Sequence, residues 1–318
     1  MRRYIIKRIL QIIPILVGVI IINFTILHLA PGDPAHVMGG ERDVPPEYYV
    51  ALREKMGLDK PIWQQLLIYM GNVLKGDLGY SWINRRPVLD VIFERFPATI
   101  LLMGTSVILA IVLGTLIGVL SSSRPYSKID NVNTVMSLVG YSIPNFWLGV
   151  MLIIVFGVWL RWLPISGMTS LTTEKNYIID VISHMILPAA CLTTQNIGYY
   201  VRLSRTSMLE VLKLDYITTA RAKGCKERTV LFKHALRNAL LPIVTSAGFE
   251  LGFVIAGSSV TETVFGWPGV GMLMIRSIYY RDYPVLLGIF LIISLFVTIT
   301  NFITDISYAY LDPRIKIG

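Results

Sequence analysis

The sequence predicts an all-α polytopic membrane protein with six transmembrane helices and both termini in the cytoplasm. Of its 318 residues, 54% are hydrophobic and 15% are charged, whereas a soluble domain carries about 25% charged residues. The apolar residues form runs of about 20, the length of helix that crosses a hydrocarbon core of about 30 Å. Seventeen of the 29 Lys and Arg residues fall on the side that holds both termini, and this excess marks the cytoplasmic side.

The first predicted span is Ile9–Ala30, and it follows four basic residues, Arg2, Arg3, Lys7 and Arg8. Its apolar run is too long for a signal peptide, so we predict an uncleaved helix with a cytoplasmic N-terminus. Two prolines and a glycine in residues 31–34 end this helix.

Residues 31–97 form a long polar segment on the far side of the membrane. Apolar residues at helical spacing predict an amphipathic helix within it, at Trp63, Leu66, Leu67, Met70, Val73 and Leu74. Residues 76–80 close this helix as a turn. The helix either lies in the membrane interface or docks a partner outside the cell.

The second span is Ala98–Leu120, and its Gly114-x-x-x-Gly118 spacing lets helix backbones approach closely. The third span, Thr134–Leu160, is expected to bend at Pro144. Residues 161–180 form an outer loop before the fourth span, Val181–Val201. Polar residues late in this span, Thr193, Thr194, Gln195 and Asn196, either line a water-filled path or hydrogen-bond to neighbouring helices.

The fifth span is Asn238–Val260. Small residues recur every fourth position in it, at Gly248, Gly252 and Ala256, and Glu250 lies nearly opposite them. A carboxylate near mid-membrane costs a few kcal/mol unless it is paired, protonated or hydrated. Glu250 therefore either faces a water-filled pathway or is protonated or hydrogen-bonded inside the bundle.

Thr261–Pro284 lies outside again and contains a glycine-rich turn. Irregular backbone at membrane depth must be buried or face water, so we predict a re-entrant turn tucked against the bundle. Its residues are Phe265, Gly266, Trp267, Pro268, Gly269 and Gly271. The sixth span is Val285–Tyr310.

These elements give four segments. They are an N-terminal helix (1–30), an extracytoplasmic segment (31–97), a five-helix core (98–311) with a cytoplasmic loop at 203–237, and a cytoplasmic tail (312–318).

The longest dense run of charge, Asp215–Pro242, begins within that loop. Gly224 suits a turn or helix end, which predicts two short helices joined near it. In the second, Leu231, Phe232, Ala235, Leu236, Ala239 and Leu240 recur at helical spacing. Three basic residues fall on another face, Lys226, Lys233 and Arg237. The alternative is a cytoplasmic loop made basic by topology alone.

Several function classes lack their sequence signatures. The chain has no phosphate-binding loop, no His-Glu-x-x-His zinc helix and no Gly-x-Ser-x-Gly elbow. Its four histidines are scattered, so we expect no metal site. We find no catalytic constellation and expect no enzyme activity. The net charge of +9 follows from topology, so no nucleic acid partner is required.

A set of short motifs resembles the permease subunit of ATP-binding-cassette importers of the dipeptide, oligopeptide and nickel type, and it covers essentially the whole chain. The motifs lie at residues 30–34, 57–61, 76–80, 162–167, 219–224, 234–238, 263–271 and 311–314. Each motif alone is weak, but the set in this order is highly specific.

The resemblance implies an importer type I-like permease in a prokaryotic cell membrane. The family's Glu-Ala-Ala…Gly motif corresponds to Thr218, Thr219, Ala220 and Gly224, with Thr in place of the Glu and the first Ala. The implied ATPase-coupling residues are Asp215, Thr218, Thr219, Ala220, Arg221, Ala222, Lys223 and Gly224. The candidates for the translocation path are Gln195, Asn196 and Glu250.

The implied partners are a second permease, two ATPase subunits and an extracytoplasmic solute-binding protein, with lipid around the spans. ATP and Mg²⁺ are expected in the ATPase subunits, and no cofactor is expected in this chain. Peptide is the expected solute, and nickel is the alternative. The alternative from a different class of protein is a carrier that uses Glu250 and needs no ATPase.

Overall fold

A computed structural model describes residues 2–29, 59–170 and 176–311, and these residues are helical, with no β-strand among them. Outside the described residues lie the predicted helix stop at 31–34, the polar segment up to residue 58, part of the outer loop (171–175) and the tail at 312–318. Among the described residues, contacts define two compact units. The first comprises the described parts of Met1–Phe96 with Leu273–Phe302, and the second comprises those of Pro97–Met272 with Ile303–Asp312.

The first unit contains helices α1 (Arg2–Leu29), α2 (Ile62–Leu74) and α3 (Val88–Phe93). The predicted helices of residues 9–30 and 63–74 are confirmed as helices, whereas α3 was not predicted. The turn predicted at 76–80 is also present, with φ of +78° at Gly76 and +82° at Gly79.

Buried polar contacts hold the first unit together. Asn23 Nδ2 of α1 donates to the Leu287 carbonyl at 3.2 Å. Asp282 is buried and accepts from Ser81 Oγ at 2.5 Å and from the backbone N–H of Trp82 at 3.1 Å. These bonds satisfy buried polar groups that would otherwise each cost about 1–3 kcal/mol.

The second unit begins with α4 (Phe96–Ser123) and continues with α5 (Lys128–Ser142) and α6 (Asn145–Leu152), which is extended by a π-helix (Ile153–Trp159). It also contains α7 (Tyr177–Val211), α8 (Asp215–Ala222) and α9 (Glu227–Thr229). A π-helix (Val230–Ala235) then leads into α10 (Leu236–Phe253), a 3₁₀ turn (Val254–Ala256) and α11 (Ser259–Val264). Two further helices follow, α12 (Val270–Tyr279) and α13 (Tyr283–Leu311), and their residues 273–302 belong to the first unit.

Three described helical stretches are long and apolar enough to cross a membrane: Val88–Ser123, Tyr177–Val211 and Tyr283–Phe302. The bent pair Lys128–Ser142 and Asn145–Trp159 passes the same test only when it is taken together. The fifth predicted span is shorter than expected. Its α-helix ends at Phe253, and Gly257 then adopts a φ of +70°.

The third predicted span is broken rather than bent. The helix axis turns by 99° between Ser142 and Asn145. Proline disfavours helical backbone in the residue before it, and Ile143 is accordingly extended, with φ −74° and ψ 126°. The interruption expected at Pro144 is therefore present, but it separates two helices instead of bending one.

The fourth predicted span also differs at its end, because α7 continues ten residues beyond Val201. At about 1.5 Å per residue, 35 residues extend for about 52 Å, longer than the hydrocarbon core. The first part of the predicted loop 203–237 is thus helical.

The predicted close approach at the two glycines of α4 is confirmed. A Cβ at Gly114 would lie 2.6 Å from Tyr200 Cβ, and one at Gly118 would lie 2.7 Å from the Val201 carbonyl oxygen. The backbones of α4 and α7 therefore touch. The seam predicted on α10 stays a prediction, since only the backbone is described at Gly252.

We expect Gly118→Ala to destabilise the protein by about 1–3 kcal/mol, because the added methyl group meets backbone that cannot move alone. Gly104→Ala in the same helix is the matched control, since no atom lies within 4 Å of its Cβ position. Thermal unfolding of the purified protein in detergent measures both. Equal melting temperatures for the two variants would contradict the close packing.

Candidate functional site

The basic segment contains two helical pieces separated at Gly224, as the sequence predicted. Gly224 has a φ of +77°, and the N–H of Cys225 bonds to the Ala220 carbonyl at 3.2 Å. A Cβ at Gly224 would meet open space. Glycine is therefore favoured here by backbone conformation and not by crowding.

Helix α8 has a buried face and an exposed face. Ile217 and Ala220 are buried against Met208 of α7 and Leu231 and Ala235 of the π-helix. The other residues of α8 and its end that the resemblance predicts to contact the ATPase are exposed, namely Asp215, Thr218, Thr219, Arg221, Ala222 and Lys223. The Ala220 side chain thus anchors α8 to its own chain, and a substitution there would test folding.

An ion pair joins α8 to the next helix. Arg221 Nη2 lies 2.7 Å from Glu227 Oε1, and both side chains are about half exposed. The hydrogen bond from Arg221 lowers the pKa of the Glu227 carboxyl. Ion pairs this exposed contribute at most about 1 kcal/mol to the stability of the fold. The main effect of this pair is therefore to orient α8 relative to the next helix.

The predicted amphipathic helix is present, with a π-helix at Val230–Ala235. Leu231, Ala235 and Ala239 are buried, Leu236 and Leu240 are half-buried, and Phe232 is exposed. Lys226, Lys233 and Arg237 are exposed, as the pattern predicted.

The glycine-rich turn 265–271 is buried within the second unit. Trp267 has no exposed surface, and its Nε1 donates to the Ala98 carbonyl at 2.8 Å. The Phe265 carbonyl accepts from the N–H of Gly167 at 2.8 Å. Gly266 has a φ of +60°, so this position also favours glycine.

Glu262 organises this turn, and the sequence analysis missed it. Its side chain is fully buried, accepting from Thr99 Oγ1 at 3.1 Å and from the N–H of Met272 at 2.9 Å. It therefore caps the first turn of α12, where helical N–H groups lack partners. Burial raises the pKa of Glu262 despite these donors.

Three glycines make room for the Glu262 carboxylate. A Cβ at Gly257 would lie 2.7 Å from its Oε1, and one at Gly271 would lie 2.9 Å from its Oε2. A Cβ at Gly269 would overlap the same carboxylate. An acidic residue seven positions before the second glycine of the turn was the available sequence signal.

The candidates for a translocation path lie on α7 and α10. Gln195 and Asn196 are half-buried on α7. Glu250 accepts a hydrogen bond from the buried Tyr200 hydroxyl, so it has a partner within the chain. The Tyr199 and Ser246 hydroxyls lie 2.9 Å apart and join the same two helices.

A polar stripe runs along α7. Helical spacing places four residues on one face, and these are the half-buried Gln195 and the exposed Tyr199, Arg202 and Thr206. A polar face toward lipid is unfavourable. We therefore expect the stripe to face water or another protein subunit.

We expect Glu262→Ala to lower the melting temperature by several degrees, because buried N–H and O–H donors lose their acceptor at about 1–3 kcal/mol each. Glu262→Gln keeps an acceptor, so its melting temperature should fall much less. Because burial raises the pKa of Glu262, its contribution to stability is greatest below pH 4.5 and falls as the pH rises through the raised value. The Gln variant should lack this dependence.

Thermal unfolding of the purified protein, followed by tryptophan fluorescence across a pH series, measures both effects. Glu94→Ala, which removes an exposed carboxylate that pairs with Arg86, is the control and should leave the melting temperature nearly unchanged. Identical losses in the Ala and Gln variants would exclude the proposed capping role.

Two family profiles cover nearly the whole chain. The binding-protein-dependent transport system inner membrane component matches residues 110–317, and the N-terminal region of such components matches residues 1–103. The fold also resembles that of the methionine ABC transporter MetNI in inward-facing form. That likeness has a TM-score of 0.55 at 19% identity and covers 70% of this chain and 97% of the other.

Three relatives align over almost their full length. The Bacillus subtilis oligopeptide transport system permease protein AppB is 47% identical, over 99% of this chain and 100% of the relative. The Escherichia coli K12 dipeptide permease DppB and a Pseudomonas aeruginosa di/tripeptide permease DppB are each 40% identical, over 99% of both chains. As the resemblance predicted, the chain belongs to the family of inner membrane components of binding-protein-dependent transport systems.

Proposed function

We propose that this chain forms half of the translocation pathway of an ATP-driven importer of di- and oligopeptides. The names of its full-length relatives, which transport oligopeptides, dipeptides and di/tripeptides, support peptide rather than nickel. The observation that carries the proposal is the geometry of α8. Its apolar face is anchored to the chain through Ile217 and Ala220, while its other face is exposed.

The proposed assembly contains this chain, a second permease subunit as its heterodimeric partner, two ATPase subunits and an extracytoplasmic solute-binding protein. ATP and Mg²⁺ bind in the ATPase subunits, and ATP hydrolysis occurs there. The assembly resides in the cytoplasmic membrane of a prokaryote. The family description, a binding-protein-dependent inner membrane component, supports this arrangement.

The proposed topology has six crossings, formed by α1, α4, the bent pair α5–α6, α7, α10 and α13. Both termini and α8 then lie in the cytoplasm, as the distribution of Lys and Arg favours. The glycine turn at 265–271 lies on the outer side.

In this proposal, the two faces of α8 couple the ATPase subunits to the translocation pathway. The exposed face seats in a groove on an ATPase subunit, a helix-in-groove contact. When ATP draws the two ATPase subunits together, α8 moves with its groove and displaces α7, to which Ile217 and Ala220 attach it. The polar stripe on α7, Asn196 and Glu250 line the path that opens toward the binding protein.

We expect Ala222→Glu to reduce ATP-driven uptake by about tenfold or more, because a charge buried in the groove lacks a partner. Ala222 is exposed, so the substitution leaves the fold of this chain intact. The measurement is tripeptide uptake and ATP hydrolysis by the purified complex in liposomes. Nickel in place of tripeptide tests the other solute.

Lys128→Glu is the matched control. Lys128 is exposed at the start of α5, on the same proposed side of the membrane, and the change alters charge by two units instead of one. Uptake should be unchanged in this variant. If Ala222→Glu also left uptake and hydrolysis unchanged, α8 would not be the ATPase contact.

Glu250→Gln separates the importer from a carrier that depends on a titrating Glu250. The Gln amide oxygen can accept from the Tyr200 hydroxyl as the carboxylate does. We therefore expect the Gln variant to retain most ATP-dependent uptake. Complete loss of uptake, with the complex still assembled, would support the carrier instead.

A further inference from the structure

The backbones of helices α5 and α7 approach each other closely at two glycines. A Cβ at Gly198 of α7 would lie 2.5 Å from the Ser137 carbonyl oxygen of α5. A Cβ at Gly140 of α5 would lie 3.3 Å from the Thr194 carbonyl oxygen of α7. Each helix thus supplies a glycine at the contact, and no side chain separates the two backbones there. Such close packing resists sliding of one helix past the other.

A buried ion pair fixes one end of this contact. Arg205 of α7 donates from Nε and Nη2 to the two carboxylate oxygens of Asp130, at 2.6 and 2.7 Å. The Asp130 side chain is 1% exposed and also accepts from the N–H of Tyr126 at 2.8 Å. The Arg205 guanidinium lies 5.9 Å from the centre of the Tyr126 ring. A bidentate pair sets orientation as well as distance.

A polar cluster fixes the other end, where α6 begins after the break. Cys191 Sγ of α7 donates to Asn145 Oδ1 at 2.8 Å, and Asn145 Nδ2 donates to Thr261 Oγ1 of α11 at 2.8 Å. Helix α7 is thus bound to the broken helix on both sides of its 99° turn.

The ion pair also lies close to α8. Arg205 is six residues before the end of α7 at Val211, and α8 begins at Asp215. Met208, one turn after Arg205, packs against Ile217 and Ala220 of α8. Continuous contact therefore leads from the exposed helix α8 through α7 to α5 and the break.

We propose that Asp130 and Arg205 are positioning residues that make α5 move together with α7 and α8 during transport. Through this pair, a movement of α8 also moves the broken helix α5–α6, so that each cycle of ATP hydrolysis changes the shape of the translocation pathway. This inference rests on the proposed function, because it assigns the joint through which the ATPase contact acts.

The first test is the number of ATP molecules hydrolysed per tripeptide imported by the complete importer in liposomes. We expect Arg205→Gln to raise this ratio about fivefold or more, within the usual range of coupling between sites. Arg205→Lys keeps the charge and loses the bidentate geometry, so its ratio should be intermediate. Arg86→Gln, which breaks an exposed pair with Glu94 at 2.8 Å, should match the wild type.

A purely structural role would lower the yield of assembled complex but leave the ratio of the assembled fraction unchanged. That result in both Arg205 variants would overturn the inference. If the wild-type complex itself imported no tripeptide with ATP, the proposed function would be wrong. That result is distinguishable from failure of the proposed role of the ion pair, which is judged from the variants of a complex that does import tripeptide.

The second test measures a distance within this chain instead of transport. Spin labels at the exposed positions Lys128 and Lys213 report the distance between the start of α5 and the turn after α7. We expect the same distance without nucleotide and with ATP trapped in the wild-type background, and a changed or broadened distance with Asp130→Asn. A wild-type distance that changes with ATP would show that α5 and α7 move separately.

Discussion

Close approach of α7 to α4 and α5 is the constraint on which the second unit depends. Lipid chains are as apolar as leucine, so helices in a membrane gain little from burying apolar side chains and associate through close packing and hydrogen bonds. Glycines on all three helices permit that packing here, and the Ser204 hydroxyl adds a 3.1 Å bond to the Thr115 carbonyl. With these faces of α7 occupied by its own chain, the polar stripe at Gln195–Thr206 is the face left for water or another subunit.

The irregular backbone of the second unit follows from a related constraint. A helix that stops in apolar surroundings leaves N–H and C=O groups that water cannot reach. Three side chains at these interruptions accept or donate in place of water. Glu262 caps α12, Trp267 bonds to the Ala98 carbonyl, and Asn145 joins the broken helix to α7 and α11. Gly269 and Gly271 of the 265–271 turn are explained by Glu262, because a Cβ at either position would crowd its carboxylate, whereas Gly266 is explained by its positive φ.

Periodicity and turn residues predicted most helices, because both are local properties of the chain. The amphipathic helix near Trp63, the turn at Gly224 and the glycine seam of α4 all follow from residues within a few positions of one another. The capping role of Glu262 and the pairing of Asp130 with Arg205 depend on partners far away in sequence. Asp130 and Arg205 are 75 positions apart and Thr99 and Glu262 are 163 apart. The sequence alone does not show which of such distant residues contact each other. The burial of Ala220 likewise depends on its contact with α7.

The basic residues in and just before the segment Asp215–Pro242 are of two kinds, those in ion pairs and those that are exposed. The excess of positive charge on the cytoplasmic side does not distinguish between them. Arg205 is committed to Asp130, and Arg221 is paired with Glu227. Lys223, Lys226 and Arg228 are exposed, and they follow directly on the exposed face of α8. Exposed charge beside an interface mainly raises the rate of association and selects partners of opposite sign. In the proposed assembly, these exposed cations therefore favour an ATPase surface of negative charge beside α8. The buried pair behind it keeps α8, α7 and α5 in fixed register once contact is made.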